Sequence, residues 1–155
     1  MRLSPLQLAS YRLLDIGVTA RSGIDPSLEN FDALLDGIQA SLDLAHEEER
    51  DIEDSSCWSV FLALRFEARP EDHSPYDFHV VLLADFFCAK QLPENLDQET
   101  LVGVNGTSIT YGIARELILN LTEKGLWGRL TLPTMTFINF RELIESEDDE
   151  VIVEK

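Results

Sequence analysis

The chain has 155 residues, 45% of them hydrophobic and 26% charged, which suits one domain with a buried core and excludes a disordered polymer. Its 29 acids against 12 bases leave a formal net charge of -17, which repels phosphate backbones and argues against direct nucleic-acid binding. No stretch approaches the roughly 20 apolar residues a membrane-spanning helix needs, so direct membrane insertion is not expected.

The first residues carry one basic side chain and place Pro5 inside a short apolar run, a poor secretory signal, so the expected address is the cytoplasm. A first strand is predicted from Leu8 to Ala20, where Leu14, Ile16 and Val18 alternate with Leu13, Asp15, Gly17 and Thr19. Ser22, Gly23, Asp25 and Pro26 break it. Between Pro26 and Ile38, Asp25 is placed to cap a short helix with Phe31, Leu34 and Leu35 on one face. A second strand is predicted from Ser41 to Ile52, with Leu42, Leu44, His46 and Ile52 on alternate positions. Its charge (Asp43, Glu47, Glu48, Glu49 and Asp51) suits a sheet edge or a solvated face.

The third strand has the clearest period of two. Trp58, Val60, Leu62, Leu64, Phe66 and Ala68 alternate with Ser59, Phe61, Ala63, Arg65, Glu67 and Arg69. After a turn through Pro70–Pro75, a fourth strand puts Phe78, Val80, Leu82, Ala84, Phe86 and Cys88 on one face. His79, Val81, Leu83, Asp85 and Phe87 fall on the other, and the two strands are predicted to form a long hairpin. This fourth strand is apolar on both faces, so a helix, another subunit or a bound partner must cover the second one.

Asn105-Gly106 signals a turn, and Thr107 or Ser108 can cap the helix that follows. Ile109, Ile113, Leu117 and Leu121 recur every four residues, an amphipathic pattern ended by Gly125. That stripe fits either the core alone or the core together with a subunit contact. A loop containing Trp127, Pro133 and Met135 precedes a short final helix, predicted over Asn139–Glu145. One domain is expected over 1–145, with an acidic tail over 146–155 expected to be disordered.

No reaction chemistry emerges. There is no G-x-x-x-x-G-K-[ST] and no G-x-G-x-x-G to cradle a nucleotide. His46, His73 and His79 are scattered over a strand, a turn and a second strand, without the spacing of zinc ligands. Cys57 and Cys88 sit in apolar strand patterns and are expected to be buried free thiols. Neither a catalytic residue, a metal nor a cofactor is therefore expected.

Tyr111, Ala114, Arg115 and Glu116 in the helix, then Gly125, Leu130, Leu132, Pro133 and Phe137, form a pattern that resembles SecB, the bacterial export chaperone. The match is strongest over 104–143, and the order of four strands, helix, Pro-bearing loop and helix agrees with it. The resemblance implies an α+β subunit with a four-stranded antiparallel sheet, a long helix and a short C-terminal helix. It implies a homotetramer built as a dimer of dimers through the long helices, with Ile109, Ile113, Arg115, Glu116 and Leu117 as interface candidates. It also implies an ATP-independent holdase for unfolded or precursor polypeptides. Phe61, Leu83, Phe86, Phe87, Trp127, Leu132, Met135 and Phe137 are the candidate client contacts. The motor ATPase SecA is a partner the family suggests, with Asp15 matching one of the acids it uses. A variant on the same fold serves one partner, such as an antitoxin or a single secreted substrate. The negative charge is expected to favour clients with basic segments.

Overall fold

A computed structural model describes residues 3–24, 37–69, 74–142 and 144. The short helix expected near Pro26 and the acidic tail both lie outside the described residues. Four strands form one antiparallel sheet in the order β1-β4-β3-β2: β1 (Leu6–Ala20), β2 (Gln39–His46), β3 (Ser55–Phe66) and β4 (Tyr76–Ala89). The order follows from the apolar content. β4, greasy on both faces, takes a central place between β1 and β3, where both its edges are hydrogen-bonded. β2, which carries one acid, Asp43, takes an edge.

The acidic run is not all strand. After His46 the chain leaves the ladder, makes a 3-10 turn at Glu48–Arg50, and re-enters through an isolated bridge between Ile52 and Ser55. The Asp51 carboxylate accepts from the Cys57 backbone N–H at 2.8 Å, tying that turn to β3. The predicted alternation of β1 is also revised. Register shifts at Ala9 and Leu14 insert one extra residue each, and each insertion changes which face the next residues occupy. Leu8, Tyr11, Leu13, Ile16 and Val18 thereby stand opposite Phe86, Ala84, Leu82, Val80 and Phe78, on one face of the sheet, while Leu14 leaves the phase of Ile16.

The helix begins earlier than its sequence cap suggests. Asp97 caps a first turn, Gln98–Leu101, by accepting from the Thr100 N–H at 2.7 Å. A π-helical turn, Val102–Gly106, links it to the long helix, Thr107–Thr122. Asn105 and Gly106 therefore lie inside helical backbone, and Thr107 is a buried interior residue rather than a cap. Gly103 permits this path. A Cβ there would collide with the ring of Phe140, which packs directly on the helix backbone.

The long helix covers the Val60–Leu62–Leu64 and Val80–Leu82–Ala84–Phe86 face of the sheet, and these side chains are fully buried. Its buried side is Thr107, Thr110, Tyr111, Ala114, Ile118 and Thr122. Thr110 and Thr122 settle their hydroxyls on the carbonyls of Gly106 and Ile118 four residues back, so both polar groups are buried without loss. The loop after the helix is fastened over the same layer. Tyr111 donates its hydroxyl to the Pro133 carbonyl at 2.7 Å, and Arg115 Nε donates to the Leu132 carbonyl at 3.0 Å. The Tyr76 hydroxyl accepts from the Trp127 N–H and donates to the Gly128 carbonyl.

Candidate interaction surface

The second face of the sheet is only partly covered. Its middle is the cross-strand pairs Phe61–Leu83 and Ala63–Val81, all four side chains half-buried. Charged groups bracket this patch. At one side the Asp85 carboxylate, 3% exposed, gathers Arg50 Nη2 at 3.1 Å, Ser59 Oγ at 2.9 Å, Ser10 Oγ at 3.2 Å and Arg12 Nη2 at 3.5 Å. Phe87 lies beyond this cluster, half-buried, opposite Cys57. At the other side His79 lies 3.1 Å from the Asp15 carboxylate, and Arg65 pairs with Glu67. The His79 ring crosses the strand backbone at Gly17, where any Cβ would strike it. This end of the face opens into a groove of about 1210 Å³, lined by Asp15, Gly17, Ala63, Arg65, His79 and Val81 among others.

The electrostatics of the Asp85 cluster are a contest. Burial pushes the carboxyl up, but hydrogen bonds from Arg50 and Ser59, with the charges of Arg50 and Arg12, outweigh it and hold the group below its ordinary value. Arg50 is raised in turn, chiefly by its hydrogen bond to Asp85. The two thiols are inert by contrast. Burial raises Cys57, and it raises Cys88 to about 11. Both are free. Cys57 stands opposite Phe87 and Cys88 opposite Ser56, so they point to opposite faces of the sheet and cannot bridge.

The candidate client contacts divide. Phe61, Leu83 and Phe87 lie on this second face. Phe86, Leu132 and Phe137 do not: they are 0%, 1% and 1% exposed and form the core under the long helix. The expectation that these three touch a client is corrected, because side chains without accessible surface reach no partner. Phe86 follows the other phase of β4, and the Tyr111 and Arg115 bonds hold the loop so that Leu132 points inward. Trp127 and Met135 are partly buried against the core, and Trp127 donates its Nε1–H to the Arg21 carbonyl.

The interface candidates divide as well. Ile109, Ile113 and Leu117 lie outside the helix's buried side, and Ile109 and Leu121 are 39% and 51% exposed. The stripe is thus split: Ile113 and Leu117 pack partly against the protomer's core, and Ile109 and Leu121 face away from it. Arg115 is occupied by the Leu132 carbonyl rather than paired with Glu116, whose carboxylate accepts from Asn120 at 3.0 Å. The most exposed apolar row of the sheet is one that periodicity did not single out. Leu8, Tyr11 and Leu13 of β1 are 40%, 48% and 42% exposed although they stand on the helix-covered face. The bulges put them there, and a strict alternation starting from Leu14 misses them.

Among the described residues, no helix is long and apolar enough to cross a membrane, and no group of three His, Cys, Asp or Glu side chains could hold a metal ion. His46 stacks on Trp58 at 5.0 Å and meets Asp51 at 3.1 Å, while His79 meets Asp15 across the sheet.

No protein-family model matches the chain, and no curated protein matches it in sequence. Among solved structures, a protein of unknown function from Streptococcus agalactiae matches with a TM-score of 0.55 and 12% identity, covering 83% of this chain and 96% of that one. The likeness is one of fold. Rv1957, a SecB-like chaperone of Mycobacterium tuberculosis in complex with a ChAD peptide from the Rv1956 HigA1 antitoxin, aligns with a TM-score of 0.47 and 17% identity, covering 84% of this chain and 91% of that one.

Proposed function

We propose that the protein is an ATP-independent chaperone of the SecB kind, which holds extended, unfolded polypeptide segments on the second face of its sheet. One observation carries this reading: the patch of Phe61, Ala63, Val81 and Leu83 stays half-exposed on the two central strands of the sheet. Apolar surface of that kind is retained where something is meant to cover it. The binding step is passive, because it needs only burial of a client's apolar side chains against the patch. The sequence likeness to SecB proteins over 104–143 supports the same reading, and its Tyr111 and Arg115 act here as clamps that hold the Pro133 loop.

Self-association completes the proposal. The helix stripe of Ile109, Ile113, Leu117 and Leu121 and the β1 row of Leu8, Tyr11 and Leu13 give each protomer a second apolar surface, separate from the client patch. Covering it with sister copies yields a homotetramer and leaves the second face free. Light scattering in solution tests this directly; a mass of 17.5 kDa, that of one protomer, excludes it.

The function itself is tested by diluting a denatured client into buffer without nucleotide. Suppressed light scattering at equimolar tetramer is the expected result, and scattering equal to that of the client alone refutes the holdase reading. The charged brackets around the patch favour a narrower version, in which one dedicated partner, an antitoxin or a single secreted substrate, is bound. A pull-down in which one protein dominates supports that version; a broad set of unfolded chains supports the general one. Recruitment of SecA, with Asp15 as a contact, belongs to the general version and is read by co-sedimentation with SecA. Asp15 is engaged with His79 on the groove side of β1.

A further inference from the structure

A chain with a net charge of -17 attracts basic segments from a distance, yet the group bordering Leu83 on the β1 side of its apolar patch is a cation, while acids border the patch elsewhere, Asp15 opposite Val81 and Asp43 opposite Phe61. Arg12 stands directly opposite Leu83, whose other neighbour is Phe61, so a guanidinium borders the patch on the β1 side. Arg12 and Arg50 converge on a single carboxylate, that of Asp85, and are 56% and 47% exposed. Two cations share one anion. The Asp85 oxygens already accept from Arg50, Ser10 and Ser59, and both Arg12 contacts to them are 3.5 Å, the outer limit of a hydrogen bond. Both contacts also come from one nitrogen, Nη2, out of the five N–H donors a guanidinium carries.

The acids nearby do not cancel this charge. Glu47 acts on Arg50, on the β2 side. Asp43 is on β2, opposite Phe61. The Arg12 guanidinium reaches Asp85 on β4, two strand spacings, about 10 Å, from β2, beyond the ~8 Å screening length at physiological salt. Asp15, on β1 itself, is turned to His79.

From this juxtaposition the structure assigns Arg12 as a specificity residue of the patch: it receives an Asp or Glu side chain of a partner segment whose flanking apolar residues cover Phe61 and Leu83. The inference rests on the proposed client-binding role of this face. Asp85 is the positioning residue, since it keeps the guanidinium at the border of the patch in place of a conformation spread into water. The acidic majority of the surface sets the long-range preference, and Arg12 sets the local one.

Two fluorescein-labelled nonapeptides with amidated C-termini test it, alternating Leu and Ser around one central Glu or one central Gln. At low salt the Glu peptide should bind about five-fold tighter than the Gln peptide, as one charge-assisted hydrogen bond supplies. In Arg12→Gln the ratio should fall to near one with the Gln peptide's affinity unchanged, and Arg12→Lys should restore part of it. Arg50, Ser10 and Ser59 still hold Asp85 in both variants, so Arg12→Lys should keep the parent's melting temperature and Arg12→Gln should lower it only slightly. Equal binding of the two peptides by the parent, or weaker binding of the Glu peptide, overturns the inference while leaving the holdase reading intact. If neither peptide binds, both readings fall.

Discussion

The two faces of β4 are made of similar residues and have opposite fates. Phe78, Val80, Leu82, Ala84, Phe86 and Cys88 are almost completely buried. Val81, Leu83 and Phe87, one position out of phase, are half-exposed, and Asp85 among them is buried only because arginines and hydroxyls satisfy it. The strand sequence sets no preference between these faces. The helix decides, since a single long helix fits over one side of a small sheet. Apolar character on a strand therefore goes with burial on one face and with partial exposure on the other.

The largest expected effect breaks the covered face. Phe86→Ala should lower the unfolding free energy by about 3–5 kcal/mol, because the helix and Val60 cannot collapse fully into the space. Urea denaturation reads it. A loss under 1 kcal/mol would mean the covered face is less tightly packed than it looks. On the other face Leu83→Ala should cost less, about 1 kcal/mol, since much of that side chain is already in water. Its suppression of client aggregation should nevertheless drop, whereas Phe86→Ala should leave suppression intact wherever it is folded. If Leu83→Ala retains full suppression, the second face is not the client surface.

Gly17→Ala sharpens the comparison at the groove end. The new methyl meets the His79 ring, which must swing off the strand and away from Asp15. The ring is the far end of a half-exposed side chain and can give way, so the cost should be below about 1 kcal/mol, and removing the ring with His79→Ala in the same chain should relieve most of it. Additive losses in the thermal melts of the double variant would contradict a direct contact.

The charged bracket predicts a pH dependence. Asp85 has a folded value below its ordinary one, so its stabilising contribution is complete above the ordinary carboxylate range. It should be lost as pH falls through the folded value, that is, below about pH 4. Asp51 and Asp97 are also lowered, chiefly by backbone hydrogen bonds from Cys57 and Thr100, and add to the same acid limb. Urea midpoints of the parent between pH 5 and pH 3 should therefore fall more steeply than those of Asp85→Asn; parallel slopes would remove Asp85 from the explanation. The smallest effect is on the thiols. Cys57 and Cys88 should react with an alkylating reagent at neutral pH only at the rate of unfolding, since both are buried and Cys88 titrates near 11.

Much of the fold was legible because period-two alternation is a local property. β3, β4 and their hairpin follow from it. The helix start was misread for an equally local reason: Asn105-Gly106 carries a turn signature, but Asp97 and the π-helical turn draw it into the helix, and Phe140 needs the bare backbone of Gly103 beneath it. The place of Phe61, Leu83 and Phe87 on the half-covered second face was readable from phase alone. Phe86, Leu132 and Phe137 were not, because an aromatic or aliphatic side chain looks the same in a sequence whether it faces a helix or water.

What the sequence determined by itself is the strand and helix types of the main elements, the two-faced β4 and the excess of negative charge, all consequences of neighbours along the chain. Only the tertiary structure decided which β4 face the helix covers, where two bulges turn Leu8, Tyr11 and Leu13, and that Arg12 and Arg50 meet at Asp85. Those outcomes depend on groups up to 75 positions apart coming within bonding distance, as Ser10 and Asp85 do. Such long-range geometry leaves no periodic trace in the chain that produces it.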